Sequence, residues 1–235
     1  VSAFVSYGFT LPKFGAVSAG LRYEHVGFDY TDILDGGNSM KRYQDEFFPS
    51  ISWSGQFGPV QTSLAYSLRT SRPSYDFLSD RIKYINSFTL MQGDPKLKNE
   101  RKQEVGMNAR YRWLTLSVSY ERIDNALTQM FNIYGKDNML LVKRSNIPQP
   151  VRNLLVFLSA NPTWGVYSPG WSAGMQKPWT YIEFDDPRAE SGKINVSYTK
   201  PMFFLTFNNA FRFRHSWQVE ANMNIRTKGD NLNKV

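Results

Sequence analysis

Val60-Gln61-Thr62-Ser63-Leu64-Ala65-Tyr66-Ser67-Leu68-Arg69 alternates along its length. Val60, Thr62, Leu64, Tyr66 and Leu68 share one side of an extended chain, and Gln61, Ser63, Ala65, Ser67 and Arg69 share the other. Side chains two apart project to the same side of a strand, whereas a helix would scatter this set around its axis. The stretch therefore reads as a strand with one apolar and one half-polar face. The same period governs Val17, Ala19, Leu21 and Tyr23 against Ser18, Gly20, Arg22 and Glu24. It recurs in Val105 to Tyr111 against Glu104 to Arg112, in Leu114 to Tyr120 against Thr115 to Glu121, and in Phe203 to Phe213 and Trp217 to Ile225. Ten strands are expected, near residues 1–11, 15–27, 46–56, 59–70, 100–113, 114–124, 151–161, 165–178, 194–213 and 216–228. Val151 to Met175 alternates poorly, and Pro162, Pro169 and Pro178 weaken its two strands.

The connections differ in length in a regular way. Tight turns fall at Pro12-Lys13, Gln56 to Pro59, Arg112 to Leu114, Asn161 to Gly165 and Arg214 to Ser216, separated by long polar stretches at 27–46, 71–99, 124–149 and 184–193. Compact soluble domains seldom carry several such loops, all on one side. Outer-membrane barrels do, with short periplasmic turns and long extracellular loops. Phe9, Phe14, Phe57, Trp113, Trp164, Phe213 and Trp217 gather where strands meet the tight turns, as in an interfacial aromatic girdle. The alternative for that feature is aromatic packing at the end of a soluble β-sandwich.

Composition narrows the chemistry. The 235 residues contain no Cys and two His, which excludes disulfides, thiolate sites and cysteine catalysis and leaves no histidine metal cluster. The longest apolar runs fall far short of the roughly 20 residues a spanning helix needs. A barrel strand spans with about 10 residues of alternating face, so a mean hydropathy of -0.45 is compatible with a membrane. The net charge of +8 is scattered rather than blocked, which argues against nucleic acid. The expected fold is all-β, an antiparallel up-and-down transmembrane β-barrel segment of about ten strands covering residues 1–235. The final Thr227-Lys228-Gly229-Asp230-Asn231-Leu232-Asn233-Lys234-Val235 reads as the start of another loop, so the barrel is expected to continue.

Tyr66-Ser67-Leu68-Arg69-Thr70-Ser71-Arg72-Pro73-Ser74-Tyr75, followed by Gly93-Asp94-Pro95-Lys96-Leu97-Lys98-Asn99-Glu100, resembles the C-terminal barrel of TonB-dependent receptors, especially those of the Bacteroidetes. In that family a strand ending near Arg-x-x-Arg-Pro leads into a loop closing on Gly-Asn-Pro-x-Leu-Lys-Pro-Glu. Asp94 and Asn99 depart from the usual Asn and Pro. Gly20-Leu21-Arg22-Tyr23-Glu24 is similar to a barrel strand of the family. The resemblance implies an outer-membrane location, a 22-stranded barrel, and an N-terminal plug and TonB-contacting segment that this sequence lacks. It further implies uptake of a scarce ligand such as a ferric chelate, oligosaccharide or peptide.

Candidate residues fall into two sets. Arg22, Arg69, Arg110, Arg112, Arg212 and Arg226 occupy the polar faces, with Glu24, Glu104, Glu121 and Glu220. They either bias a lumen toward anions or pair with acids on neighbouring strands. Tyr30, Tyr75, Tyr84 and Tyr134 lie in the long loops and either grip a ligand at the outer mouth or pack the loops themselves. Asp45-Glu46 and Asp185-Asp186 are adjacent acids. Asp29, Asp32 and Asp35 miss the EF-hand spacing, and no nucleophile motif is present, so neither enzyme nor cofactor is expected. Expected partners are outer-membrane lipid and TonB through the missing N-terminal parts, with a surface lipoprotein as a further candidate. Two other readings stay open: a soluble or surface β-sandwich binding module, and a receptor-like barrel serving as a structural part of a membrane assembly.

Overall fold

The computed structural model describes residues 1–31, 40–135, 139–185, 192–213 and 217–230. The strands are β1 (Ser2–Leu11), β2 (Gly15–Tyr30), β3 (Met40–Phe57), β4 (Val60–Ser71), β5 (Ile82–Asn86), β6 (Thr89–Gln92), β7 (Glu100–Tyr111) and β8 (Leu114–Asp124). They continue as β9 (Leu127–Tyr134), β10 (Met139–Asn146), β11 (Val151–Ala160), β12 (Tyr167–Asp185), β13 (Lys193–Tyr198), β14 (Met202–Arg212) and β15 (Gln218–Arg226). Ten of them form one antiparallel up-and-down sheet in the order β1-β2-β3-β4-β7-β8-β11-β12-β14-β15. Its end strands, β1 and β15, pair with their chain neighbours and, among the described residues, not with each other.

Register turns the sequence alternation into two surfaces. Val17, Trp53, Leu64, Met107, Val118, Val156, Met175 and Phe203 run as one row across the sheet. One residue further along, Ser18, Ser52, Ala65, Gly106 and Ser119 form the adjoining row on the opposite face. Ile51, Leu64, Val105 and Met223 on the apolar face remain 51%, 44%, 49% and 51% exposed. No second sheet covers that face among the described residues, so the β-sandwich expectation is set aside: its inner faces would bury these side chains. An apolar face of this extent needs hydrocarbon against it.

The aromatic residues near the turns are anchored through their polar ends. Trp53 donates its indole N–H to the Phe14 carbonyl at 2.8 Å. Trp164 packs against Tyr167 and Trp171. Tyr167 Oη and Trp171 Nε1 both donate to Asn209 Oδ1, at 2.6 and 3.2 Å, so an amide on the apolar face is paired. Amphipathic rings of this kind suit a membrane boundary.

The poorly alternating region forms its strands all the same. On the polar face β11 carries Leu155 and Phe157, and Phe157 stacks on Phe204, their ring centroids 6.1 Å apart. Gly174 lies between them in register, and any Cβ there would overlap the Phe204 ring. Apolar side chains thus occupy both faces, which erased the period. The prolines fall where rungs are missing. Pro169 pairs only toward β14, because the β11 ladder ends at Trp171. Pro178 sits between the last rung to β14, Gln176↔Met202, and the first to β13, Thr180↔Tyr198.

Three expectations need correction. Residues 194–213, read as one strand, divide into β13 and β14 around Thr199 to Pro201, where Asp230 accepts from the Thr199 and Lys200 amides at 2.8 Å each. Within the stretch 27–46, residues 27–30 and 40–46 are strand, since β2 runs on to Tyr30 and β3 begins at Met40. The stretches 71–99 and 124–149, read as polar loops, hold β5, β6, β9 and β10. These form a second, four-stranded sheet in the order β5-β6-β10-β9, with β6 and β10 parallel. The turn at Arg214 to Ser216 lies outside the described residues.

Candidate functional site

Part of the charge on the polar face is paired. Arg22 Nε lies 3.1 Å from Glu24 and its guanidinium stands 5.0 Å over the Phe48 ring. Arg72 also pairs with Glu24, Arg101 approaches Glu46 at 3.9 Å, and Lys102 joins Glu121 and, at 4.0 Å, Glu104. Such half-exposed pairs contribute about 0–1 kcal/mol each, so they chiefly balance charge. The six candidate arginines do not converge. Arg22 sits midway along β2, and Arg69 near the outer end of β4. Arg110 Nε donates to the Arg112 carbonyl at 3.3 Å beside the tight turn. Arg212 ends β14 in register with Gln218, and Arg226 ends β15 in register with Phe204. Of the six, only Arg22 makes an ion pair among the described residues.

The outer loops are joined by the segment Gly93 to Glu100. The Gly93 amide donates to Ser79 O at 2.9 Å and the Asp94 amide to Phe77 O at 2.7 Å. A Cβ at position 93 would overlap those carbonyls, so glycine is required by close approach. Asp94 Oδ1 then accepts from the Lys96 amide at 2.8 Å, turning the chain at Pro95. Leu97, 1% exposed, ends the turn buried, as Leu78 and Leu90 of the neighbouring loop segment are.

From there the segment reaches both neighbours. Arg42 on β3 donates to the Leu97 carbonyl at 3.1 Å, and Asn99 Nδ2 donates to Gln44 Oε1 at 2.7 Å. On the other side the Lys98 amide donates to Asn146 Oδ1 at 2.8 Å. Asn146 Nδ2 donates back to the Lys98 carbonyl and to that of Asn125. Glu100 Oε1 accepts from the Leu127 amide at 2.6 Å. The motif read from sequence is therefore a clasp that ties the β5–β6 loop, the β9–β10 loop and the β2–β3 hairpin together. A cluster of Ala126, Ile147, Val151 and Ile182 underlies it.

At the open end of β6 this platform holds a cavity of about 440 Å³. Asp80, Asp94, Glu183, Lys143 and Arg144 line it with Gln92, Asn132 and Phe131. Gln92 is held by its side-chain donation to the Asp80 carbonyl at 2.8 Å. Arg144 stacks its guanidinium 4.4 Å over Phe77, and its buried Nε has no partner among the described residues. At the edge of the platform Lys83 donates to Asp76 at 2.6 Å and holds that carboxyl below its ordinary range.

Of the candidate tyrosines, Tyr75, Tyr84 and Tyr134 do not line this cavity. Tyr75 stacks on Phe28, with Arg42 over the far ring. Tyr84 is 77% exposed on β5, and Tyr134 closes β9 in register with Met139. Tyr30 ends β2, and its side chain lies outside the described residues, as do Asp32, Asp35 and Asp186. Asp45 and Glu46 are successive residues of β3 and so project to opposite faces; Asp45 pairs with His25 and Tyr23, Glu46 with Arg101. Lys143, Arg144 and Asp80 were missed. The available signal was the continuous apolar run Met139-Leu140-Leu141-Val142 leading into Lys143-Arg144, which marks a strand within the supposed loop.

A one-layer sheet with a lipid-suited outer face, tight turns at one end and an interlocked platform at the other is the wall of an outer-membrane β-barrel. The chain belongs to the outer membrane protein beta-barrel family, whose model matches residues 1–234, and it resides in the cell outer membrane. Among solved structures of similar fold is a double mutant of the Serratia marcescens hemophore receptor HasR in complex with its hemophore HasA and heme. It is 15% identical at a TM-score of 0.62, over 96% of this chain and 43% of that one. The FrpB iron transporter from Neisseria meningitidis (F3-3 variant) is 17% identical at 0.56, over 96% and 32%. The siderophore receptor PirA from Pseudomonas aeruginosa is 10% identical at 0.51, over 97% and 48%. The chain thus spans between about a third and a half of the length of these proteins. No curated protein matches the sequence.

Proposed function

We propose that the chain is the ligand-capturing part of the barrel wall of a TonB-dependent uptake receptor, working with a plug and further strands supplied by the rest of the protein. The observation that carries this reading is the platform. Two loops distant in sequence are built into one sheet, clasped to the wall, and provided with a polar cavity at the outer mouth. A merely structural barrel has no need of such a device. Loops carried on a rigid scaffold are where binding groups concentrate.

In this account the platform binds a scarce solute and holds it above the lumen. Force on the plug, transmitted by TonB and drawn from the proton motive force, then opens the path. Paired and unpaired charges along the polar face keep the route wet. No covalent step is involved. The test compares solutes removed from a defined medium by wild-type cells and by cells lacking the gene. The expected result is a small set of solutes depleted only by the wild type, with depletion abolished by a protonophore. Identical media profiles would reject the uptake reading.

A further inference from the structure

Resting on the receptor reading, the geometry points to a substrate class: we propose that the cavity at the end of β6 takes a short peptide with free termini. The first observation is backbone. β6 and β10 share rungs from Leu140↔Thr89 to Lys143↔Gln92, where β6 ends and turns away at Gly93. β10 runs on through Arg144, Ser145 and Asn146, which pair on one side only, with Gln129, Thr128 and Leu127 of β9. Within the cavity the edge that β6 vacates is a two-residue length of open ladder, Arg144 and Ser145, flanked by Gly93 to Pro95, before Asn146 is taken up by the Lys98 segment. An extended peptide completes such an edge by main-chain hydrogen bonds, which is the general mode of strand addition.

The second observation is charge. The lining carries acids and bases together, Asp94 with Lys143 and Arg144, while Glu183 is already paired with Lys193. Lys143 makes no ion pair among the described residues, and the Arg144 Nε is buried and unpartnered. A purely anionic chelate would meet the Asp94 carboxylate beside these bases, and an oligosaccharide would find a single ring, Phe131, to stack on. A peptide presents an ammonium to Asp94 and a carboxylate to the bases, with charge-assisted bonds at each end. The volume of about 440 Å³ lies in the ordinary range for ligand pockets, roughly 300–1,000 Å³, and suits a few residues.

The experiment uses the full-length receptor purified in detergent and a random tetrapeptide pool, with retained peptides read by mass spectrometry and affinities by calorimetry. Maltotriose and ferric citrate are run in parallel. Peptides with free termini should be retained. Acetylation of the amine, amidation of the carboxylate, or Lys143→Glu should each weaken binding by about tenfold or more. The heat-modifiable mobility of the Lys143→Glu barrel should match wild type. Equal retention of capped and uncapped peptides, retention by Lys143→Glu at wild-type affinity, or no peptide retention at all overturns the proposal. Binding of maltotriose or ferric citrate without peptide does so while leaving the receptor reading intact; that reading falls on the depletion profile alone.

Discussion

Leu64→Arg in the full receptor should lower the stability of the refolded barrel by about 2 to 4 kcal/mol, measured as a shift in denaturant midpoint in lipid vesicles. Leu64 sits in the row Trp53, Leu64, Met107 and Val118 on the apolar face, and it is 44% exposed because hydrocarbon takes the place of protein there. A guanidinium at that depth gives up hydration and finds no carboxylate in its row. Ser63→Arg, one residue away, turns to the face of Ser54, Asn108 and Ser117, where water and polar neighbours receive it. It should shift the midpoint far less. Equal losses from the two variants would mean the faces have been assigned to the wrong surroundings.

The second large effect is expected at the clasp. Leu97→Ala removes a side chain that is 1% exposed from the interior shared by the two loops, a change that ordinarily costs about 2 to 5 kcal/mol where the site cannot collapse. The cost should appear as local opening rather than loss of the barrel, because the ladder between β4 and β7 does not depend on it. Hydrogen exchange should therefore accelerate together in residues 82–92 and 127–146, while 60–71 and 100–111 stay protected. Tyr84→Ala, at a position 77% exposed, should leave both loop segments unchanged. Acceleration confined to residues 82–92 would show that the loops are independent, and the clasp would lose its role.

Much of the wall was legible in the sequence because strand faces are a local property. Leu64 and Ser63 declare their sides through their own neighbours, and lysine at 13 and glycine at 58, both at positive φ, mark where the chain reverses. β11 was harder, since Phe157 stacks across Gly174 on Phe204 and apolar residues stand on both faces. The platform was not legible. Thr89 meets Leu140 about fifty residues away in a parallel pairing, and no local period announces which loop a short strand will join. For the same reason tyrosines looked like the ligand contacts, whereas the cavity is lined by Lys143, Arg144 and Asp94. The Gly93 to Glu100 motif was visible as a resemblance, but its work as a clasp appears only once Asn146 and Gln44 are beside it.

The central claim is a membrane wall with its platform outside and its tight turns inside, and labelling of single cysteines tests it most directly. The chain has no cysteine of its own, so Tyr84→Cys and Pro59→Cys report on one site each. Both positions are exposed, the first on the platform strand β5 and the second in the turn between β3 and β4. In intact cells an impermeant maleimide should label Tyr84→Cys and spare Pro59→Cys, and both should react once the outer membrane is opened. Equal labelling of the two in intact cells, or labelling of Pro59→Cys alone, would contradict the account.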